Sequence, residues 1–230
     1  NATIKKNART FVKNLVAENG TRMLPAMHVA LDMPETQGRL TQIVALTDGF
    51  IGNEEILLAM IEKDLGNKRL FMVGMGSAPN TFIIKEASKM GRGTHLHIGN
   101  LQETKKKMVS LFNKLQYPAM LDLKINFEDL DHIEQFPAKM PDMYYGEPFT
   151  ALMKIPSSGL FDLPQSIVIS GTLNGEYWER SIKRKDVKFS KTIHKLFANE
   201  KISDIHLRYR QGKITEQTME RKIKEIRGKK

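Results

Sequence analysis

Apolar positions recur along the first 116 residues in two alternating rhythms. Ile4, Ala8, Phe11, Val12, Leu15 and Val16 fall on one helical stripe, which predicts an amphipathic helix over residues 3–17, stopped by Asn19-Gly20. A short second helix is predicted from Leu24 to Leu31, with Pro25 in its first turn. Gln42-Ile43-Val44-Ala45-Leu46 is a near-continuous apolar run ending at Thr47-Asp48-Gly49, the pattern of a parallel strand buried on both faces. Asn53 is placed to cap a following helix, with Glu54 and Glu55 in its first turn and Ile56, Leu57, Met60 and Ile61 on its apolar stripe. Leu70-Phe71-Met72-Val73 predicts a second strand, and Ser77 caps a helix carrying Phe82, Ile83, Ala87 and Met90. His95-Leu96-His97-Ile98 is a third strand, followed by a helix from Leu101 to Leu115. Strands alternating with helices predict the α/β class, with an open, mostly parallel, doubly wound sheet.

The rhythm changes at Tyr117-Pro118. Leu121, Leu123, Ile125 and Phe127 alternate with polar residues, the period of a half-buried strand. Two further strands are predicted, Phe149 to Ile155 and Ser166 to Leu173. Asn174-Gly175 then signals a hairpin returning through Glu176 to Ile182. After Lys188 the pattern is helical again, from Ile193 to Tyr209 and from Ile214 to Ile226, with Gln211-Gly212 between. The expected organisation is an α/β domain over 1–116, a small antiparallel β segment over 117–190 and a basic helical tail over 191–230.

The chain has 230 residues, 40% of them hydrophobic and 27% charged, which suits one large domain or two small ones rather than a disordered chain. It has no cysteine. That excludes a disulfide framework, an iron–sulfur cluster, a thiolate zinc site and a cysteine nucleophile. No run of 18 apolar residues is present. Asn1-Ala2-Thr3-Ile4-Lys5-Lys6 fits neither a signal nor a transit peptide, so the sequence reads as a piece of something longer. The net charge of +10 is unevenly placed: residues 181–230 hold 16 Lys/Arg against 6 Asp/Glu, while residues 1–180 hold 20 of each. Such an end attracts nucleic acid, anionic lipid or an acidic protein. Trp178, Phe189, Phe197 and Tyr209 are too scattered to make a stacking ladder among these charges, so a solvated lysine-rich face is the simpler reading and nucleic acid is not the expected partner.

Candidate chemistry centres on Thr47-Asp48-Gly49. Open α/β sheets bind ligands beyond the carboxyl ends of their strands, where Asp48 would stand. Gly20-Thr21 is a second polar turn before a helix. The Thr21 hydroxyl and the Asp48 carboxylate are hard oxygen donors suited to Mg²⁺, Mn²⁺ or Ca²⁺, although Asp-Gly most often only turns the chain. His95 and His97 share a strand face at a spacing usable for zinc, but no third ligand accompanies them. Gly74-x-Gly76 between strand and helix has the start of a dinucleotide fingerprint, whose third glycine position is held by Pro79. Glu128, Asp129 and Asp131 form an acidic loop, read as solvated rather than as a calcium site, and Ser157-Ser158-Gly159 lacks the setting of a nucleophile elbow.

Several runs together resemble a von Willebrand factor A domain: Asn19-Gly20-Thr21-Arg22-Met23-Leu24-Pro25-Ala26, Ile43 through Gly49, Gly52-Asn53-Glu54-Glu55, and Phe71 through Asn80. More narrowly, they resemble the bacterial inter-alpha-trypsin inhibitor heavy-chain-like proteins with VIT and A domains, which include marine proteobacterial sortase targets. The likeness continues through Gly91-Arg92-Gly93-Thr94, Tyr145-Gly146-Glu147-Pro148 and Trp178-Glu179-Arg180, over most of residues 7–210.

The resemblance implies a metal-ion-dependent adhesion site on top of the sheet. Thr21 matches its threonine ligand and Asp48 its aspartate, while the Asp-x-Ser-x-Ser loop that follows the family's first strand has no counterpart. The implied fold is therefore a partial A domain lacking that strand, with sheet edges open to self-association. The implied function is non-catalytic adhesion or protein–protein recognition at a bacterial cell envelope, with no small-molecule substrate. The cation would take an acidic residue of the partner into its shell. Mg²⁺, which wants near-octahedral oxygen coordination, is expected to bind weakly if at all to the two ligands left. Two rival readings stand beside this one. The first is a nucleotide- or phosphate-handling enzyme on the same sheet. The second is a nucleic-acid or anionic-surface binder acting through Lys183-Arg184-Lys185 and the tail.

Overall fold

Strands β1 (Gln42–Thr47), β2 (Arg69–Met75) and β3 (Arg92–Ile98) lie parallel in that order, Ile43 opposite Leu70 and Met72 opposite His95. The computed structural model describes residues 2–16, 22–48, 52–76, 80–117, 119–127, 133–155, 165–183, 185, 190 and 192–228. Helices α1 (Ala2–Lys13) and α2 (Met23–Asp32) precede the sheet, and α3 (Glu54–Asp64), α4 (Thr81–Met90) and α5 (Leu101–Gln116) follow its strands.

β2 organises the core. Its side chains alternate between faces, as the pleat requires. Leu70 and Met72 pack with Met27, Leu31, Leu57, Leu58, Ile61, Ile83 and Ala87 from α2, α3 and α4. Phe71 and Val73 pack on the other face with Ile98, Leu111 and Tyr144. Both faces are thus covered by helices, and β2 is the strand buried on both sides. The carboxyl ends of all three strands consequently lie along one rim, with the helices beginning there.

The second half is antiparallel. β4 (Met120–Phe127), β7 (Ser166–Leu173) and β8 (Glu176–Lys183) form one sheet in the order β4-β7-β8. Asn174 (φ 54°) and Gly175 (φ 82°) make the tight turn between β7 and β8, both left-handed as a two-residue hairpin demands. β5 (Glu134–Phe136) and β6 (Leu152–Lys154) pair separately. Helices α6 (Ile193–Arg210) and α7 (Glu216–Gly228) close the chain.

The structure departs from the sequence reading in several places. Among the described residues β1 is an edge strand with one partner, β2, and it is only half-buried, with Leu46 48% exposed. Its apolar run therefore overstated its burial. Helix α1 forms, yet none of its residues is buried, and Ile4, Phe11 and Val12 all face water. Asn53 takes a left-handed conformation (φ 55°) and makes no side-chain cap to α3. Ser77 lies outside the described residues, and the side chain that caps α4 is Asn80, accepting from the Ile83 amide at 3.2 Å. The strand expected over Phe149 to Ile155 shrinks to Leu152–Lys154, and its partner β5, too short and Pro-flanked to show a period, was missed.

Candidate functional site at the carboxyl rim of the parallel sheet

Asp48 directly follows β1. Thr47 before it is buried and lies in register with Gly74 of β2, whereas Asp48 itself is exposed. The strand thus ends in a carboxylate at the rim because the pleat turns Thr47 inward and the chain leaves the sheet at the next residue. Asp48 makes no hydrogen bond or ion pair with another described residue. Thr21 and Gly49 lie outside the described residues, so the structure places one member of the Thr21–Asp48 pair.

The rest of the rim is built of turns and helix starts. His97 Nε2 sits 2.9 Å from the carbonyl oxygen of Gly76, and the Gly76 amide donates to the Ile98 carbonyl at 2.9 Å. Asn100 and Glu103 form a reciprocal cap on α5, at 3.1 Å from the Glu103 amide to Asn100 Oδ1 and 3.2 Å from the Asn100 amide to Glu103 Oε1. The Glu103 carboxyl is held below its ordinary value by Lys107 and by the amides of Gly99 and Asn100. At the start of α3, the Glu54 carboxylate accepts from Asn80 Nδ2 and from Arg210 of α6. Arg210 also lies over the Phe82 ring, 4.6 Å from its centroid.

Among the described residues no group of three or more His, Asp or Glu side chains is placed to hold a metal ion. At the end of β1 the described rim offers a cation the uncommitted carboxylate of Asp48; of the two acids in the first turn of α3, Glu54 is taken up by Arg210 and Asn80, while Glu55 is exposed. His95 and His97 do not join a third ligand: His97 is bonded to Gly76, and His95 stands on the flank of the sheet. Glu128, Asp129, Asp131 and Ser157-Ser158-Gly159 lie outside the described residues.

No family model matches the chain. Two von Willebrand factor A domain-containing proteins of Dictyostelium discoideum align with it at 27% identity over 208 residues and 26% over 219 residues, covering 89% and 90% of the chain. The chain spans 21% and 23% of the length of those relatives. A solved von Willebrand factor type A structure from Catenulispora acidiphila superposes with a TM-score of 0.51 at 14% identity, over 84% of this chain and 55% of that one. The fold is of the von Willebrand factor A type.

An A-type fold presents its strand ends and helix starts at one rim, and Asp48 occupies that rim here. What sequence reasoning missed is the contact between the tail and the body of the protein, which reaches the rim at Arg210. Arg210 reaches Glu54 across 156 positions, Lys213 reaches Glu62 at 2.6 Å, Lys89 reaches Glu200 at 3.1 Å, and Lys201 pairs with Glu134. Part of the basic excess is therefore engaged by acids of α3 and β5. No local signal in the sequence marks these pairs, since the partners are distant along the chain. Beneath α6 a cavity of about 280 Å³ is lined by Glu86, Lys89, Phe136, Glu200, Asp204 and Leu207 among others. Burial pushes the Glu86 carboxyl above its ordinary value, with Lys89 and Lys85 opposing. Within the described residues no helix is long and apolar enough to cross a membrane.

Proposed function

We propose that the chain is a non-catalytic protein-recognition module that meets its partner at the carboxyl rim of the parallel sheet. Asp48, with Thr21, contributes to a weak divalent-cation site there, and the cation accepts an acidic side chain of the partner. The observation that carries this reading is the exposed Asp48 carboxylate, uncommitted to any described residue, immediately beyond the buried end of β1. A cation held by few protein oxygens keeps open positions for a carboxylate from outside, so it supplies both attraction and specificity. A bacterial cell-envelope setting for this recognition is part of the proposal, and its support is only the resemblance of the sequence runs to inter-alpha-trypsin inhibitor heavy-chain-like, VIT-containing proteins and sortase targets.

The test is a Mg²⁺ titration followed by amide NMR. Millimolar-range shifts centred on residues 47–52, absent in Asp48→Ala, are expected. Tight stoichiometric uptake, or shifts that Asp48→Ala leaves in place, would refute the reading.

A specific observation also favours self-association. The β1 segment carries no charged residue and no proline, and among the described residues it is paired on one side only. Unprotected edges of this kind pair with other strands. By contrast, β3 carries Arg92, His95 and His97, and Lys107 donates to the His97 carbonyl at 2.6 Å. A Val44→Lys variant that sediments as a monomer where the parent chain dimerises supports pairing at β1; identical behaviour of the two removes it.

A further inference from the structure

A groove of about 740 Å³ runs along the flank of the sheet between β3, α5 and the Tyr145-Gly146-Glu147 turn. It is separate from the carboxyl rim. Its apolar lining is Leu96, Val109 and Leu111. At one end Tyr117 and Tyr145 stack with ring centroids 4.6 Å apart and an interplanar angle of 29°. Both rings remain largely open to solvent, at 52% and 68%.

The charged lining is predominantly basic: Lys106, Lys107 and Lys114 against a single carboxylate, Glu147. Lys107 pairs with Glu103 at 2.7 Å. Lys114 bonds Glu147 and lies 3.3 Å from the Thr94 hydroxyl. Lys106 has no ion pair with a described residue. Partial burial, then the ammonium groups of Lys85 and Lys89, hold His95 below the usual histidine range, with Glu147 opposing.

We propose that this groove binds an extended, acidic segment of a partner protein, with apolar side chains against Leu96 and Val109 and carboxylates on Lys106, Lys107 and Lys114. Three features support that occupant. First, the lining lysines outnumber the one acid, and Glu147 on Lys114 shows a carboxylate already seated in the groove. Second, the α5 stretch from Lys106 to Gln116 rises about 15 Å, the length of about five extended residues. Third, the two tyrosines spend one face each on the other, leaving their edges and hydroxyls for a peptide, while the aliphatic floor has nothing to match in a nucleic-acid strand.

The experiment uses the full chain and three fluorescein-labelled probes: a heptapeptide of alternating Asp and Leu, its Lys–Leu counterpart, and an oligouridylate. The Asp–Leu probe is expected to bind, to be unaffected by EDTA, and to lose about tenfold in affinity in Lys106→Glu/Lys107→Glu and in Tyr145→Ala. Tyr145 is exposed, so the unchanged melting temperature of Tyr145→Ala separates lost binding from lost fold. Dependence on Mg²⁺ would move the peptide to the rim and overturn the groove. Equal binding of the Lys–Leu probe, preference for the oligouridylate, no binding of the Asp–Leu probe, or indifference to both variants would each overturn it as well.

Discussion

Arg69, the first residue of β2, grips both carboxylate oxygens of Asp142, a residue 73 positions further on, through Nε and Nη2. The two side chains are 3% and 1% exposed. The Tyr144 hydroxyl lies 3.4 Å from the same carboxylate and donates to the Arg92 carbonyl at 3.3 Å, while its ring meets Phe71 edge-on at 5.3 Å. These contacts fasten the segment after α5 onto the parallel sheet. Burial pushes the Asp142 carboxyl up, and Arg69 opposes it. Removing one partner strands a buried charge. Asp142→Leu is therefore expected to lower unfolding stability by about 3–5 kcal/mol, while the double variant Arg69→Met/Asp142→Leu regains most of it. Urea denaturation of the three proteins measures this, and an additive double variant would contradict it.

Glu86 gives a pH dependence with a definite sign. Its folded-state pKa is raised above the ordinary 4.5, first by burial, so the ionised form opposes folding. The contribution of this residue to stability is fully present below the ordinary glutamate value and is lost as pH rises through the raised one. Glu86→Gln, which stays neutral, is expected to melt higher than the parent at neutral pH and to lose that advantage in acid below 4.5. A melting temperature lower than the parent's at neutral pH would show that the pair with Lys89, at 3.5 Å, outweighs the burial.

Gly93 lies at the irregularity in the β2–β3 register, between the Leu70–Arg92 and Met72–His95 pairs. A Cβ there would stand 2.1 Å from the Leu70 carbonyl oxygen and 2.8 Å from its carbon, both backbone atoms that cannot swing aside. Gly93→Ala is expected to cost about 3 kcal/mol by forcing the two strands apart. Gly52→Ala, where nothing lies within 4 Å of the added carbon, is the matched control. Equal stability of the two variants would show that the strands have room to shift.

Helix α6 has one fully buried residue, Ile205, with Phe197 and Leu207 half-buried against the body, and it is tied down by ion pairs as well. Lys89–Glu200, Lys201–Glu134, Arg210–Glu54 and Lys213–Glu62 join the tail to the body. Partly exposed pairs contribute about 0.5 kcal/mol each and are screened by salt. Amide hydrogen exchange in α6 is expected to speed up as salt is raised, while that of β2 stays constant. Salt-independent exchange in α6 would mean that the Phe136–Phe197 contact, at 5.2 Å between ring centroids, holds the helix instead.

Local pattern sufficed for elements whose signal is local. The stripe of Met108, Leu111 and Leu115 marks α5, the alternation from Leu121 to Phe127 marks β4, and Asn174-Gly175 marks the hairpin, because a helical face, a pleat and a left-handed turn each impose residue types at fixed short spacings. The order strand, helix, strand also made the parallel α/β sheet legible, and with it the position of Asp48 at a strand end.

The tertiary structure decided whatever depends on neighbours distant in sequence. The runs Ile43-Val44-Ala45-Leu46 and Leu70-Phe71-Met72-Val73 look alike, yet β2 is covered on both faces and β1 is an edge, because strand burial depends on how many strands lie alongside. The same holds for charge. A basic tail is free or engaged according to the acids that the fold brings to it, and Arg210 finds Glu54 only because the end of α6 is brought to the starts of α3 and α4. Composition determined how much charge and apolar surface this protein carries; three-dimensional packing, which joins residues by distance rather than by order, determined where each is used.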